Sequence, residues 1–351
     1  MSWLSDIARP AIRALKPYEH AGWEPGLVRL HANELPWRNE TDRSVEGLNR
    51  YPEPHPFALS ERLGALYGVP GEQVLATRGG DEAIDLLTRC WCSEGQHDVI
   101  ITPPTFGMYG VCARVQGAGV IAVPLVRERG FALDVAALRA ALSPRVRLVY
   151  LCSPNNPTGN SMDRATVLAL ARELEGHALL VVDEAYVEFS TQPSLVADLA
   201  GHPALVLLRT LSKAHGLAGA RCGALLAQPE VVALLRKVIQ PYAVTQLTIE
   251  AVFSALAPGP LARSRERIAS VLAERTRLAT ALAALPAVAR VWPSDANFLL
   301  VEFADAGAAL ARSHAAGLLV RDFRTAPTLG SALRITIGTR EQNDRLLESL
   351  A

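Results

Sequence analysis

The sequence predicts an α/β protein: a large domain with a mostly parallel central sheet flanked by helices, and a smaller α+β domain from the N-terminal arm and the C-terminal third. Three observations predict it. Short apolar runs of strand length recur between helix-patterned segments from residue 57 to 238, as they do where a parallel sheet is buried on both faces. Most of these runs end in a polar turn, which collects candidate polar side chains at the same ends of the strands. Beyond residue 245 the alternation gives way to long helices and then to strand-like pieces around a helix, which reads as an α+β unit. A chain of 351 residues suits two domains better than one core. The expected division is an N-terminal arm with part of the small domain at 1–46, a large domain at 47–245 and the C-terminal small domain at 246–351.

Bulk composition narrows the function classes. Lys plus Arg balance Asp plus Glu at 35 each, and no basic block is interleaved with aromatics, so nothing resembles a nucleic-acid footprint. Half of the residues are apolar, yet charges or prolines interrupt every long apolar stretch, so no membrane span is expected. The first fifteen residues carry Asp6 and other polar groups where a signal peptide needs an apolar centre, which points to a cytoplasmic protein. Five cysteines without a framework spacing suit reduced, buried thiols.

In chain order, Ser5 is placed to cap a short helix that Pro17 ends, an arm of the kind that packs on a partner subunit. Residues 28–36 read as extended, and Pro52, Pro54 and Pro56 fix an irregular loop that presents Tyr51. A helix is expected over Phe57–Tyr67 and a strand over Val74–Thr77. That strand meets Arg78-Gly79-Gly80-Asp81-Glu82, a strand-to-helix turn with no side chain on two successive residues, where backbone amides can approach an anion. The strand at 99–102 opens into a Pro-Pro turn carrying Phe106, a ring able to stack on a flat ligand or to sit in the core. The strand at 146–151 ends in Ser153-Pro154-Asn155-Asn156-Pro157, whose asparagines serve either the backbone or a ligand oxygen. The run at 178–182 leads into Asp183-Glu184-Ala185-Tyr186. Asp183 there suits a helix cap as well as a ligand contact at the sheet edge. In the last third, helices are expected at 229–240, 245–256, 262–285 and 306–316, with strand-like pieces at 298–303, 318–321 and 333–337. Leu333, Ile335 and Ile337 take one face of the last strand and leave Arg334 on the other, towards a cleft.

The turn after the run at 204–208, Arg209-Thr210-Leu211-Ser212-Lys213, organises these pieces. Only three lysines, Lys16, Lys213 and Lys237, stand against thirty-two arginines. Positive charge is therefore supplied by arginine, and a lysine after a buried strand offers what arginine cannot, an amine able to lose its proton. Taken alone, Lys213 equally suits a snorkelling lysine at a strand end. A neutral lysine amine forms a Schiff base with a carbonyl, most commonly to hold pyridoxal phosphate. That cofactor needs an acid partner for its ring nitrogen, donors to its ring oxygen and a phosphate cup. Asp183 is the candidate acid, Asn156 and Tyr186 the donors, and the amides at Gly80 and Asp81 with Thr210, Ser212 and Arg221 the cup.

The same residues carry a family resemblance. Ser-Pro-Asn-Asn-Pro-Thr-Gly (153–159), Asp-Glu-Ala-Tyr (183–186), Thr-Leu-Ser-Lys-Ala (210–214), Arg221 and Leu-Arg-Ile-Thr-Ile-Gly (333–338) together resemble fold-type I, class II aminotransferases. Leu-Asn-Arg-Tyr-Pro-Glu (48–53), Arg-Gly-Gly-Asp-Glu (78–82), Pro-Pro-Thr-Phe-Gly-Met-Tyr (103–109) and Val-Arg-Asp (320–322) look more narrowly like the histidinol-phosphate aminotransferases. The resemblance implies a homodimer with catalytic Lys213, Asp183 and Tyr186, transaminating L-histidinol phosphate with 2-oxoglutarate. It implies that Phe106 stacks on the cofactor and that Tyr51 reaches the cofactor phosphate of the other subunit. Tyr18 and Asn33 would line the substrate site, and Arg321 and Arg334 would hold substrate phosphate or the carboxylate of glutamate. Phe106, Gly80 and His215 depart from the residues frequent there. Aromatic aminotransferases and threonine-phosphate decarboxylases share much of the pattern and are the alternatives. A cofactor-sensing regulator would need a DNA-binding module, a nicotinamide dehydrogenase a Gly-x-Gly-x-x-Gly after a strand, and a metal hydrolase a ligand spacing among the eight histidines; none of these is found.

Overall fold

The computed structural model describes residues 2–20, 22, 24 and 26–351. In chain order the elements are α1 (Trp3–Asp6), α2 (Pro10–Ala14), α3 (Phe57–Tyr67), β1 (Val74–Thr77), α4 (Gly80–Trp91), β2 (Asp98–Ile101), α5 (Met108–Val115), β3 (Gly119–Ala122), α6 (Val135–Ala141), β4 (Val146–Cys152), α7 (Arg164–Leu174) and β5 (Leu179–Asp183). They continue with β6 (Leu205–Thr210), β7 (Gly223–Leu226), α8 (Pro229–Arg236), α9 (Gln246–Ala255), α10 (Pro258–Ala283), β8 (Val288–Val291), β9 (Phe298–Phe303), α11 (Ala306–Ala315), β10 (Arg321–Asp322), β11 (Ala332–Thr336) and α12 (Arg340–Leu350).

Seven strands form one sheet in the order β1-β7-β6-β5-β4-β2-β3, parallel except for β7, which runs against both neighbours. Alternate residues of each central strand enter opposite layers. Val149, Leu151, Leu180, Val182, Leu205 and Leu207 pack towards α3 and α7, while Leu148, Tyr150, Leu179, Val181, Val206 and Leu208 pack towards α4, α5 and α8. Burial on both faces explains the uninterrupted apolar runs. A second sheet, β10-β11-β9-β8, is antiparallel throughout. One face packs on α10, α11 and α12 through Leu299, Val301, Leu333 and Ile335. Its other face carries Leu300 into the core of the large sheet and Phe298 against Tyr186.

The structure departs from the sequence reading mainly at the two ends of the chain. The expected arm helix breaks into α1 and α2, and Ser5, inside α1, caps nothing: its hydroxyl donates to Glu230 on α8. The contacts of α1 are thus with the flank of the large sheet. The extended stretch 28–36 joins no sheet, and Val28 and Leu30 in it are exposed. Of the piece expected at 318–321 only Arg321 lies in a strand, the two-residue β10 that Asp322 completes. The edge strand β3, the reversed strand β7 and β8 were not foreseen; β3 and β8 are four residues each and only partly buried.

The reversed strand is held by a close backbone approach. A Cβ on Gly223 would lie 2.9 Å from the Cα and carbonyl carbon of Gly79 and 3.0 Å from the Arg209 carbonyl oxygen. Backbone atoms on both sides leave no side chain to yield. Gly223→Ala should therefore cost about 1–3 kcal/mol, the usual penalty for overpacking, read as a lower urea midpoint at unchanged slope. An unchanged midpoint would show that β7 can move away from β1.

Candidate functional site

Six segments meet at the carboxyl edge of the large sheet. The ends of β4, β5 and β6, the turn between β2 and α5, the start of α4 and the segment before β7 surround an open cleft. Gly80, Asp81, Phe106, Asn156, Asp183, Tyr186, Thr210, Ser212, Lys213 and Arg221, ten of the residues singled out from sequence, line it. The parallel sheet causes this convergence, because every parallel strand delivers its next residues to the same edge.

Asp183 closes β5 and is buried. Its Oδ1 accepts the Ala185 amide at 3.0 Å and its Oδ2 the Tyr109 hydroxyl at 2.7 Å. Burial raises the pKa of this carboxyl, and the two donors, together with the charge of Lys213, work against that rise. Lys213 is open to solvent through the cleft mouth, but its amine lies among the cleft walls, 5.9 Å from the centre of the Tyr186 ring. Its pKa is lowered, first by desolvation and then by the guanidiniums of Arg334 and Arg221.

The start of α4 supplies the anion-facing end. Gly79, at φ +91°, precedes the helix, and its missing Cβ would stand 2.8 Å from Arg221 Nη2. No atom lies within 4 Å of the place a Cβ on Gly80 would take, so the first helical amides are open to the cleft. Asp81 is no helix cap; it sits in the first turn with Arg221 Nη2 3.4 Å from its Oδ2. Arg221 itself holds a left-handed backbone, φ +53°, uncommon for a residue with a side chain. The Thr210 hydroxyl accepts the Ser212 amide at 3.1 Å, which shapes the turn leading to Lys213.

The two asparagines divide their work. Asn155 ties the loops together, donating to the Pro104 carbonyl at 2.8 Å and to Thr158 Oγ1 at 2.6 Å while accepting from Thr105 Oγ1 at 2.9 Å. Asn156 faces the cleft, its Nδ2 3.4 Å from the Tyr186 hydroxyl, and its Oδ1 accepts from Arg334 Nη1. That last bond joins the small sheet to the large one at the site. Arg321 stands opposite Arg334 in the β10–β11 ladder, and both guanidiniums approach the Phe323 ring, at 5.9 and 5.7 Å.

Tyr51, Tyr18 and Asn33 do not line this cleft within one chain. Tyr51 stacks on Tyr242 at 4.7 Å, and its amide donates to Glu34, which also pairs with Arg50 and Arg29. Tyr18 is exposed, and so is Asn33, which has φ +57°. All three are exposed in one chain.

Residues 31–350 match the family model described as aminotransferase class I and II. The chain belongs to the class I and II aminotransferases. It is 50% identical to the histidinol-phosphate aminotransferase of Stenotrophomonas maltophilia, over 98% of this chain and 96% of that one. Among solved structures, it resembles the histidinol-phosphate aminotransferase of Sinorhizobium meliloti in complex with pyridoxal-5'-phosphate, with TM-score 0.77 and 26% identity over 86% of this chain and 82% of that one. It also resembles the L-threonine-O-3-phosphate decarboxylase of Porphyromonas gingivalis, with TM-score 0.73 and 26% identity over 87% and 92% of the two chains.

In this aminotransferase the sequence reading assigned no part to Tyr109, Cys152 or Arg209. Cys152 is the ladder partner of Asp183 and lines the cleft beside it. Arg209 is buried behind the Lys213 turn, with Nη2 2.7 Å from Glu188, Nη1 3.4 Å from Glu184 and its guanidinium 4.4 Å from the Tyr67 ring centre. The apolar strand around Arg209 was the available signal, since a charge inside such a run requires a buried partner.

The depressed amine of Lys213 is directly checkable. In protein freed of bound aldehyde, an amine-selective reagent should modify Lys213 at a lower pH than Lys16. Arg334→Gln should raise the Lys213 pKa and move its labelling curve to higher pH, as followed by peptide mass spectrometry. A curve indifferent to Arg334 would remove that guanidinium as a cause.

Proposed function

We propose that the protein is a pyridoxal-phosphate-dependent aminotransferase of histidine biosynthesis. It transfers the amino group of L-histidinol phosphate to 2-oxoglutarate, giving imidazole-acetol phosphate and L-glutamate. The observation that carries the chemistry is the pairing, across one cleft, of a lysine amine with a depressed pKa and a buried, hydrogen-bonded carboxylate. The substrate rests on close likeness over nearly the whole chain to a histidinol-phosphate aminotransferase.

The residues present fit the cofactor. Open amides at the start of a twelve-residue helix, two hydroxyls and a guanidinium form a phosphate-sized donor set, and the absent Cβ of Gly79 leaves room for Arg221 to close it. Pyridoxal phosphate, when bound to Lys213, supplies an electron sink that lets the substrate's amino-bearing carbon give up its proton. Asp183 holds the ring-nitrogen proton, Asn156 and Tyr186 donate to the ring oxygen, and Phe106 covers one ring face. Gly80, Asp81, Thr210, Ser212 and Arg221 hold the phosphate. The Lys213 amine would move the substrate carbon's proton as general base, a task suited to an amine whose pKa its surroundings lower. Arg334 and Arg321 bind an anion in each half-reaction, first the phosphate of histidinol phosphate and then a carboxylate of 2-oxoglutarate. Tyr18 and Asn33 line the substrate site.

We place the enzyme in the cytoplasm as a homodimer. All five cysteines are unpaired and buried, as suits a reducing compartment. Leu27, Val28, Leu30, Leu35, Trp37 and Val45 are exposed on the same surface segment as Tyr51, and an apolar patch of that kind suits a second copy.

Two experiments test this reading. Adding L-histidinol phosphate alone should replace the visible band of the Lys213-bound cofactor, and 2-oxoglutarate should restore it, while Lys213→Ala shows no turnover. Release of carbon dioxide from threonine phosphate would select the decarboxylase, and response only to phenylalanine or tyrosine the aromatic aminotransferase. For the dimer, sedimentation should give twice the chain mass, and Tyr51→Phe should weaken cofactor retention by about tenfold, the size of one hydrogen bond to a charged group. A fully active monomer would refute it.

A further inference from the structure

We propose that Tyr109 is a positioning residue for the transamination chemistry: its hydroxyl keeps Asp183 ionised and aimed at the cofactor's ring nitrogen. This rests on the reading of the cleft as a pyridoxal phosphate site.

Tyr109 lies on the first turn of α5, three residues after Phe106, and is wholly buried. Its ring is held on two sides. It stacks on Tyr150, with centroids 4.7 Å apart and planes at 6°, and meets Phe106 edge to face at 5.6 Å. With the ring so fixed, the hydroxyl donates to Asp183 Oδ2 at 2.7 Å, and the Cys152 thiol stands beside it within hydrogen-bond reach. One helix start thus sets both the ring that faces the cofactor and the donor behind its acid partner.

A phenol suits this task because it is a neutral donor that keeps its proton. Burial and the adjacent carboxylate push its pKa well up. The other groups facing Asp183 are four. Cys152, across the ladder from β4, has a thiol that burial likewise keeps protonated; the Tyr186 phenol, raised by burial first and by Asp183 among its neighbours, keeps its proton too; Asp81 on α4 disfavours the Asp183 charge and Lys213 favours it. Remove the Tyr109 hydroxyl and the carboxylate loses one of its two donors, becomes more basic and draws the ring proton to itself. The cofactor ring then carries less positive charge, and the Lys213 linkage holds its own proton more tightly.

The full-length holoenzyme, with Tyr109→Phe, Asp183→Asn, the double variant and Tyr150→Phe, tests this. Tyr109→Phe should weaken cofactor binding by about ten- to a hundredfold, the range of a hydrogen bond to a charged group. It should also raise the pH midpoint of the visible band and lower kcat while KM for histidinol phosphate stays within about twofold. In the Asp183→Asn background the same change should do little more, since the two residues act as a unit. Tyr150→Phe should leave the midpoint alone. Should Tyr109→Phe misfold, 3-fluorotyrosine at position 109, a stronger donor, should move the midpoint down. An unmoved midpoint in either variant, or full additivity with Asp183→Asn, overturns the proposal and leaves the cofactor site standing. Wild-type protein that takes up no pyridoxal phosphate overturns both.

Discussion

A carboxylate withdrawn from water at the end of a central strand constrains everything around it. Asp183 would be too costly to keep charged without donors, since an isolated buried carboxylate neutralises by raising its pKa. The fold meets that demand with one backbone amide, one phenol from α5 and the lysine charge across the cleft. Each donor fixes a piece of structure. The Ala185 amide fixes the turn after β5, Tyr109 fixes the start of α5, and the Lys213 turn must stay near enough to be felt. Lys213 is under the opposite stress, for burial and two guanidiniums disfavour its charge. The cleft therefore holds a carboxyl whose charge its donors defend against burial and an amine whose charge burial and its neighbours disfavour.

The reversed strand β7 completes this arrangement. A fully parallel sheet would bring a crossover helix after Lys213 and carry the chain away from the edge. Running back as an antiparallel neighbour instead, β7 starts at the site edge, so Arg221 precedes it within reach of the start of α4. The small sheet is coupled there too. Arg334 bonds to Asn156, Arg127 reaches from the large unit to Glu302 on β9 at 2.8 Å, and Trp292 donates to the same Glu302 at 2.6 Å. Arg334 on one sheet is thereby tied to an asparagine lining the cleft on the other. Any shift between the sheets changes both together.

Much of this was legible in the sequence wherever one local signal carried it. Strands buried on both faces announce themselves as apolar runs, and the turn residues after them are read at once. Asp183, Asn156, Lys213 and the Gly79–Gly80 turn belong to that class, and all sit at one edge. What could not be read depends on contacts between distant residues. Tyr109 follows Phe106 by three positions, but nothing in the sequence says that its hydroxyl meets residue 183. β7 carries the same apolar letters as a parallel strand, and its reversal shows only in its pairing. Residues 28–36 read as extended, but that Glu34 within them pairs with Arg29 and Arg50 could not be seen. Tyr18 and Asn33 were placed by resemblance alone, and in a single chain they are exposed.

The economy of lysine has a structural sense beyond its use as a sequence marker. The proposed function asks for several cations, at Arg221 for one anion and at Arg334 and Arg321 for another, in an enzyme that also uses a reactive amine. Had these been lysines, each would have been a second primary amine beside an aldehyde-binding group, and desolvation in the cleft would have freed some of them to react. Guanidinium keeps its proton under the same stress: burial lowers the pKa of Arg334 from a starting value so high that the charge survives. Lys237, one of the other two lysines, is turned away, its amine 3.0 Å from the Arg13 carbonyl on the far flank. Charge and nucleophilicity are thus assigned to different residue types, and only Lys213 brings a primary amine into the cleft.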